Sequence, residues 1–332
     1  MTLKWGIIGC GDVAERKGGP ALYNAAGSEL VAVMRRDAEK AADFAERHGA
    51  KRHYATIGEL LADDEIDAVY VATPPHVHAE QTIQAAQAGK HVLCEKPMAM
   101  NVAQCRQMIR ACRNAGVQLW VAYYRRYWPV AQRMKQLLSE QVVGQPTMAH
   151  VTVTSMYKPL ADGSVPWRAA PEIAGGGFLT DVGSHRLDLL VYLLGDVVEV
   201  SALVDTLSFD IEVDDSASLL LKFATGTQAV FACHWNVGTG VDEFGIAGTA
   251  GRVLAGPLDR GNLRVWIGNE RTDMHCPPPS ITHLPLVEQI VRSLTTDAPN
   301  PLSGEEGLKT TAILEAAYHS SKERAAVIPS DE

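Results

Sequence analysis

Three stretches of this chain carry residue types at spacings suited to chemistry. The first is Leu93-Cys94-Glu95-Lys96-Pro97, where an apolar run ends in a turn and leaves one lysine among small and apolar neighbours. A lysine so placed can donate a proton or a hydrogen bond to a substrate oxygen, although most Glu-Lys pairs at turns are solvated surface pairs. The second stretch begins with Gly175-Gly176-Gly177 and carries Asp181, His185 and Asp188. Asp181 and His185 share one helical face, and Asp188 falls on nearly that same face. A carboxylate beside an imidazole raises its pKa and orients it, which suits a proton shuttle. An isolated pair of this kind is more often a capped helix with a satisfied polar pair. The triple glycine reads as a flexible approach or an anion-binding turn. The third stretch is Gly9-Cys10-Gly11-Asp12-Val13-Ala14, a G-x-G-x-x-A turn. Its first glycine serves the bend, the second lets backbone approach a pyrophosphate, and the small third residue lets a helix pack on the strand.

These residues need elements to hold them. An apolar strand (4–9) precedes the glycine turn, and a helix is expected after it. A second strand (30–34) ends at Arg35-Arg36-Asp37. A cofactor with a free ribose 2′-hydroxyl would want an acid there. An arginine instead pairs with a 2′-phosphate through a forked, charge-assisted contact, and Arg36 could also lie flat on an adenine. Asp37 either substitutes for the acid or caps the next helix (38–48), which closes at Gly49. A strand at 67–72 ends in Thr73-Pro74-Pro75, a helix (76–88) follows, and a strand at 91–94 ends at Glu95-Lys96-Pro97. Asn101 and Gln104 are spaced as a capping box for a helix over 102–114. A last strand spans 117–122. This alternation means a doubly wound parallel sheet whose ligands sit beyond the carboxyl ends of the strands. The ends at Gly9, Thr73 and Lys96 therefore face one crevice. Beyond 123 the pattern changes to strands separated by turns, at 148–156, 197–206, 217–223, 228–235, 242–246 and 263–267, with helices at 130–138, 284–294 and 308–324. That pattern is an α+β region with a mostly antiparallel sheet. The expected division is 1–123 for the nucleotide-binding domain and 124–332 for the second domain.

Bulk composition narrows the function classes. The 332 residues favour two domains. A formal charge of −9 argues against a broad nucleic-acid or anionic-membrane footprint. No apolar run is long enough to span a bilayer, and the first residues run directly into a strand pattern without a signal peptide. The six cysteines form no C-x-x-C pair and no tight Cys/His cluster, so no metal site is expected, and a reducing cytoplasm is the simplest setting.

Taken together, these motifs resemble the glucose-fructose oxidoreductase/inositol dehydrogenase (Gfo/Idh/MocA) family. The matching pieces are Gly9-Cys10-Gly11, Ala72-Thr73-Pro74-Pro75, Glu95-Lys96-Pro97, Tyr124-Arg125-Arg126-Tyr127, the glycine block with Asp181, His185 and Asp188, and the turn Gly248-Thr249-Ala250-Gly251. The match is collinear over nearly the whole chain. The resemblance implies a Rossmann domain followed by a domain with a large open sheet, through which such proteins associate as dimers or tetramers. It implies hydride transfer between NAD(P) and a hydroxyl or carbonyl carbon of a sugar, cyclic polyol or related small molecule.

By the same resemblance Lys96 is the catalytic lysine, His185 the proton donor or acceptor and Asp181 its carboxylate neighbour. The peptide before Pro97 is cis in many relatives. Trp167-Arg168 looks like the Trp-Arg of NADP-using sugar reductases. The cofactor contacts expected are Gly9, Cys10, Gly11, Asp12, Val13, Arg35, Arg36, Thr73, Pro74, His78, Glu95, Lys96, Tyr124 and Arg168. The substrate contacts expected are Lys96, Arg125, Trp167, Asp181 and His185. Tyr124 stands where many relatives have Asn. NADP is expected ahead of NAD because of Arg35. The stretch 158–168 and His234-Trp235-Asn236 are further candidates for shaping a pocket. Two other activities suit the same fold: glycoside hydrolysis by transient oxidation with a retained NAD, and a non-catalytic ligand sensor. Retention of Lys96, Asp181 and His185 argues against the sensor.

Overall fold

The computed structural model describes residues 2–161, 164–296 and 298–330. By contact the chain divides into two units, Met1–Tyr124 with Pro279–Leu308, and Arg125–Pro278 with Lys309–Glu332.

The first unit is built on six parallel strands: β1 (Leu3–Ile8), β2 (Ser28–Met34), β3 (Arg52–Tyr54), β4 (Ala68–Val71), β5 (His91–Cys94) and β6 (Leu119–Val121). Their order is β3-β2-β1-β4-β5-β6, so the chain reverses direction across the sheet between β1 and β4. Ligands of such sheets lie at that switch. The central strands are near-continuous apolar runs because both faces are covered; all four residues of β4 are buried. The helices are α1 (Asp12–Arg16), α2 (Gly18–Asn24), α3 (Ala38–His48), α4 (Ile57–Leu61), α5 (His78–Gln87) and α6 (Val102–Ala115). The single helix expected after the glycine turn is broken at Lys17 into α1 and α2. Local signals set the ends of the others. Asp37 caps α3 by accepting from Lys40 N, and Gly49 closes it in the left-handed region at φ 72°. Asn101 and Gly116 do the same for α6.

The second unit carries α7 (Pro129–Ser139), α8 (Pro171–Ala174), α9 (Ser184–Leu194) and eight strands. The strands are β7 (Pro146–Thr154), β8 (Val197–Asp205), β9 (Ser216–Phe223), β10 (Gln228–His234), β11 (Asp242–Gly248), β12 (Gly251–Ala255), β13 (Asn262–Ile267) and β14 (Glu270–His275). Their order is β14-β13-β12-β11-β7-β10-β9-β8, with β7 and β10 parallel and every other pair antiparallel. Strands β12 and β14 carry little hydrophobic alternation and were not expected; β14 is almost wholly exposed. Period-two alternation in β9 and β10 turns one face inward and leaves the other open. Met148, Leu203, Leu220 and Val230 are 48%, 70%, 60% and 54% exposed on it. The edge strand β8 is covered: its amides at Ala202 and Val204 donate to Ser320 and Ser321 Oγ, and Val327 pairs with Val200. Both serines lie on α11 (Gly304–Glu323).

This grouping differs from the expected division in two respects. Tyr124 belongs with the first unit, and so does 279–308, which carries α10 (Leu284–Thr295). The reason lies in packing and hydrogen bonds. The helix α10 packs on α2, Val121 N donates to Leu302 O at 3.0 Å, and His283 is fully buried on Glu95. Among the described residues no helix is long and apolar enough to cross a membrane.

Candidate active site

In the first unit a cleft of about 560 Å³ opens at the carboxyl ends of β1, β2 and β4. Gly9, Cys10 and Gly11 form its floor, Arg35, Arg36 and Lys40 one wall, and Thr73, Pro74, His76 and Gln81 the other. Two glycines act differently there. Gly9 sits at φ +97°, and a Cβ on it would lie 2.7 Å from Thr73 Cγ2, so the turn can approach β4 only with glycine. A Cβ on Gly11 would meet nothing within 4 Å and would project into open space. That is the cradle a pyrophosphate needs, and the residues present fit a dinucleotide.

The two arginines separate. Arg35 is half-buried and its Nη1 donates to Cys10 O at 2.9 Å, which pins it to the glycine turn. Arg36 is exposed at the cleft wall. Asp37 is occupied as the α3 cap and as the partner of Lys40 Nζ at 2.7 Å. Cys10 lies in the turn as a buried thiol, pushed up to about 12 by burial.

Lys96 follows β5 and is half-buried, and its bond to Pro97 is cis. The residue before it is tightly held. Glu95 is 5% exposed; its Oε1 accepts from Tyr70 OH at 2.6 Å and faces His283 Nε2 at 2.9 Å, and its Oε2 accepts from Lys96 N at 3.2 Å. Tyr124, expected as a cofactor contact, is buried with its ring 4.2 Å from the His283 ring. His78, expected as a cofactor contact, is fully buried, its two ring nitrogens facing Thr73 O at 2.7 Å and Pro97 O at 3.0 Å. It ties the β4 and β5 ends together instead. Burial pushes its pKa below the usual 6.5, against the pull of the two carbonyls.

Burial pushes the Glu95 carboxyl up. The His283 ring, the Tyr70 hydroxyl and Lys96 together outweigh burial and hold it at about 2, from an ordinary 4.5. A carboxyl lowered in the folded state contributes stability above its unfolded pKa and loses it as pH falls through the folded one. The advantage of the native chain over Glu95→Gln in thermal melts is therefore expected to be full above about pH 5 and to shrink toward about pH 2. A gap that stays constant through that window would show that Glu95 is not held ionised.

In the second unit the triple glycine is a point of close packing. A Cβ on Gly177 would lie 2.0 Å from Asp214 O, and one on Gly176 would lie 2.2 Å from Tyr318 Oη. The turn does bind an anion, and that anion is the protein's own Asp214 carboxylate. Asp214 accepts from Gly177 N at 2.7 Å, Leu179 N at 2.9 Å and Tyr318 OH at 2.5 Å. The helix then starts with a π-helical turn over Leu179–Gly183 instead of the regular α-helix expected, a feature frequent at functional sites. Asp181 lies in that turn and His185 in the first turn of α9, which is buried on nearly all sides.

Asp181 takes a partner from outside the helix: Arg168 Nε lies 3.3 Å from its Oδ2, and the Arg168 guanidinium stacks 4.4 Å over Trp167. Trp167, Arg168 and Asp181, expected as separate contacts, therefore lie together within this unit. Asp188 is not part of it. It is fully buried and pairs with Arg126, whose Nη2 reaches Oδ1 at 2.7 Å and whose Nε lies 3.0 Å from both oxygens. Arg125, expected at the substrate, is buried in a second ion-pair group, with Nη2 2.9 Å from Asp259 Oδ2 and its guanidinium 4.7 Å over Trp128. Arg186 extends that group to Asp242 at 2.9 Å. Of the candidate stretch 158–168, residues 162 and 163 lie outside the described residues. Asn236 donates to Asp215 Oδ1 and Ser216 Oγ, and Trp235 packs on Phe178 and Tyr157, so these two serve the interior.

Sequence reasoning missed His283, Tyr70, Asp214, Tyr318 and Gln81, which accepts from Thr73 Oγ1 at 2.6 Å beside the cleft. No motif flags them; for His283, Tyr70, Asp214 and Tyr318 the defining partner lies far away in the chain.

Residues 3–123 match the family model described as oxidoreductase family, NAD-binding Rossmann fold, and 131–254 match the GFO/IDH/MocA C-terminal domain. The chain is 34% identical over 318 residues to an oxidoreductase of Formosa agariphila, spanning 94% of this chain and 97% of that one. It is 33% identical over 253 residues to 1,5-anhydro-D-fructose reductase of Ensifer adhaerens, spanning 76% and 75% of the two chains. The aldose-aldose oxidoreductase from Caulobacter crescentus, solved in complex with glycerol, superposes with a TM-score of 0.90 at 28% identity, over 99% of this chain and 100% of that one.

Proposed function

The chain belongs to the Gfo/Idh/MocA family of NAD-binding Rossmann oxidoreductases, and from that premise we propose that it interconverts a hydroxyl and a carbonyl on a sugar, cyclic polyol or related small molecule, with NADP(H) preferred. The observation that carries this reading is the set of groups at the strand ends of the first unit: the open cradle at Gly11, the arginine pair after β2 and Lys96 after β5. A nicotinamide dinucleotide held by these residues would supply or take the hydride.

The chain's own residues divide the remaining work. Gly9, Cys10, Gly11, Asp12 and Val13 offer backbone to the pyrophosphate. Lys96 donates to the substrate oxygen, where negative charge develops. His185, with Asp181 as its carboxylate neighbour, carries the proton. Trp167, Arg168 and Arg125 remain assigned to the substrate and cofactor surroundings. The direct test is a screen of sugars, inositols and dicarbonyls against NAD(H) and NADP(H), read at the nicotinamide absorbance. Absence of turnover with every pair would overturn the reading.

Arg36 supplies the sharpest cofactor test. It is exposed in the cleft wall, whereas the Arg35 guanidinium is already engaged with Cys10 O. Arg36→Ala is expected to weaken NADP(H) binding about 10- to 100-fold, the loss of one charge-assisted phosphate contact, and to leave NAD(H) binding within about twofold. Fluorescence titration of both cofactors decides it, and an equal loss for both would remove the phosphate role.

The open face of the eight-stranded sheet, with Met148, Leu203, Leu220 and Val230 exposed, supports assembly as a homodimer or homotetramer through that face. The cytoplasm is the compartment we assign, since none of the six thiols is joined in a disulfide.

A further inference from the structure

We propose that His283 is a positioning residue for Lys96, acting through the carboxylate of Glu95. The inference rests on the reading of Lys96 as the lysine that meets substrate. It concerns a residue that lies 188 positions from Glu95 and that no motif marks.

Lys96 leaves β5 through a backbone amide held by Glu95 Oε2. The other oxygen of the same carboxylate is fixed by Tyr70 OH and His283 Nε2, so the carboxylate cannot swing without breaking buried hydrogen bonds. Tyr70 and His283 are both fully buried, and Glu95 is 5% exposed. The His283 ring is itself held by Tyr124 at 4.2 Å on its face and by Thr282 Oγ1 at 3.0 Å from Nδ1. On the far side of the turn, His78 grips Pro97 O. Lys96 is thus suspended between two histidine-anchored points, one on its own amide and one on the next residue's carbonyl.

A buried carboxylate with this many donors is an expensive thing to place in a domain interior. Its geometry makes sense when the group it orients must hold one position. A supporting shell of this kind locks a catalytic side chain to within a fraction of an ångström. Two consequences separate positioning from general stabilisation. Loss of His283 should act on turnover and not on dinucleotide affinity, because His283 does not line the cofactor cleft. An amide that restores an N–H toward Glu95 should recover part of the loss.

The experiment uses the full chain, the best substrate of the screen and its preferred dinucleotide. Lys96→Ala, His283→Ala, His283→Gln and Glu95→Gln are compared for kcat, KM and dinucleotide Kd. We expect His283→Ala to lower kcat about 10- to 100-fold with Kd within about twofold, and His283→Gln to recover a large part of that loss. Should His283→Ala fail to fold, Glu95→Gln and His283→Gln carry the comparison, with kcat lowered more in the former. Native kcat in His283→Ala, or a parallel loss of dinucleotide affinity, or equal kcat in Glu95→Gln and His283→Gln, would overturn the proposal. Retained turnover in Lys96→Ala would instead overturn the reading on which it rests.

Discussion

Lys96→Ala is expected to lower kcat by about 10²- to 10⁴-fold, the loss of a positioned donor to a developing oxyanion, while dinucleotide still binds. The separation follows from placement. The cofactor cleft is lined by the glycine turn, the Arg35–Arg36 wall and the Thr73–Pro74 wall, and Lys96 is not among its lining residues. Lys96 instead follows β5, with its backbone amide on Glu95. Removing its side chain should leave the cleft intact and take away only the group proposed to meet substrate. Single-turnover rates at saturating dinucleotide would isolate the chemical step. A variant that turns over at a native rate would remove Lys96 from the chemistry, and one that also loses dinucleotide binding would recast it as a cofactor ligand.

The largest effect on stability is expected from Asp188→Ala, at about 3–5 kcal/mol, because it removes the buried carboxylate that the Arg126 guanidinium grips on two of its nitrogens. Asp188 is fully buried and Arg126 is 4% exposed, so neither charge can turn to water. Arg126 is held on both its Nε and its Nη2, a forked contact that lysine cannot reproduce. Replacing both partners together with apolar residues of similar volume should cost less than either single change. Thermal or denaturant melts of the two single variants and the double variant decide this. A double variant as unstable as the sum of the singles would mean that the pair is not one unit.

Asp188 also shows where local reading stops. Its spacing from His185 in the sequence suggests one shared face. The structure gives its carboxylate to an arginine 62 positions earlier. The same holds for Glu95, whose neighbour Lys96 is obvious and whose partner His283 is not, and for Gly175-Gly176-Gly177, whose anion turned out to be Asp214. The π-helical turn at Leu179–Gly183 had no sequence signature either; it is fixed by Asp214 and by Tyr318, which also touches Thr180.

What the sequence determined by itself was the alternation of strands and helices, the parallel first sheet, the glycine turn, the cap at Asn101, the family and therefore the class of reaction. These are encoded by side-chain period, by residues that must occupy one backbone conformation and by caps that reach three positions along the chain, all within one or two turns of each other. What only the tertiary structure decided was the partner of each buried charge, the return of 279–308 to the first unit, the burial of His78 and Tyr124, and the engagement of Arg35 with Cys10 O that leaves Arg36 at the cleft wall. A buried polar group must be satisfied by whatever the fold brings near it, and that neighbour can lie anywhere along the chain.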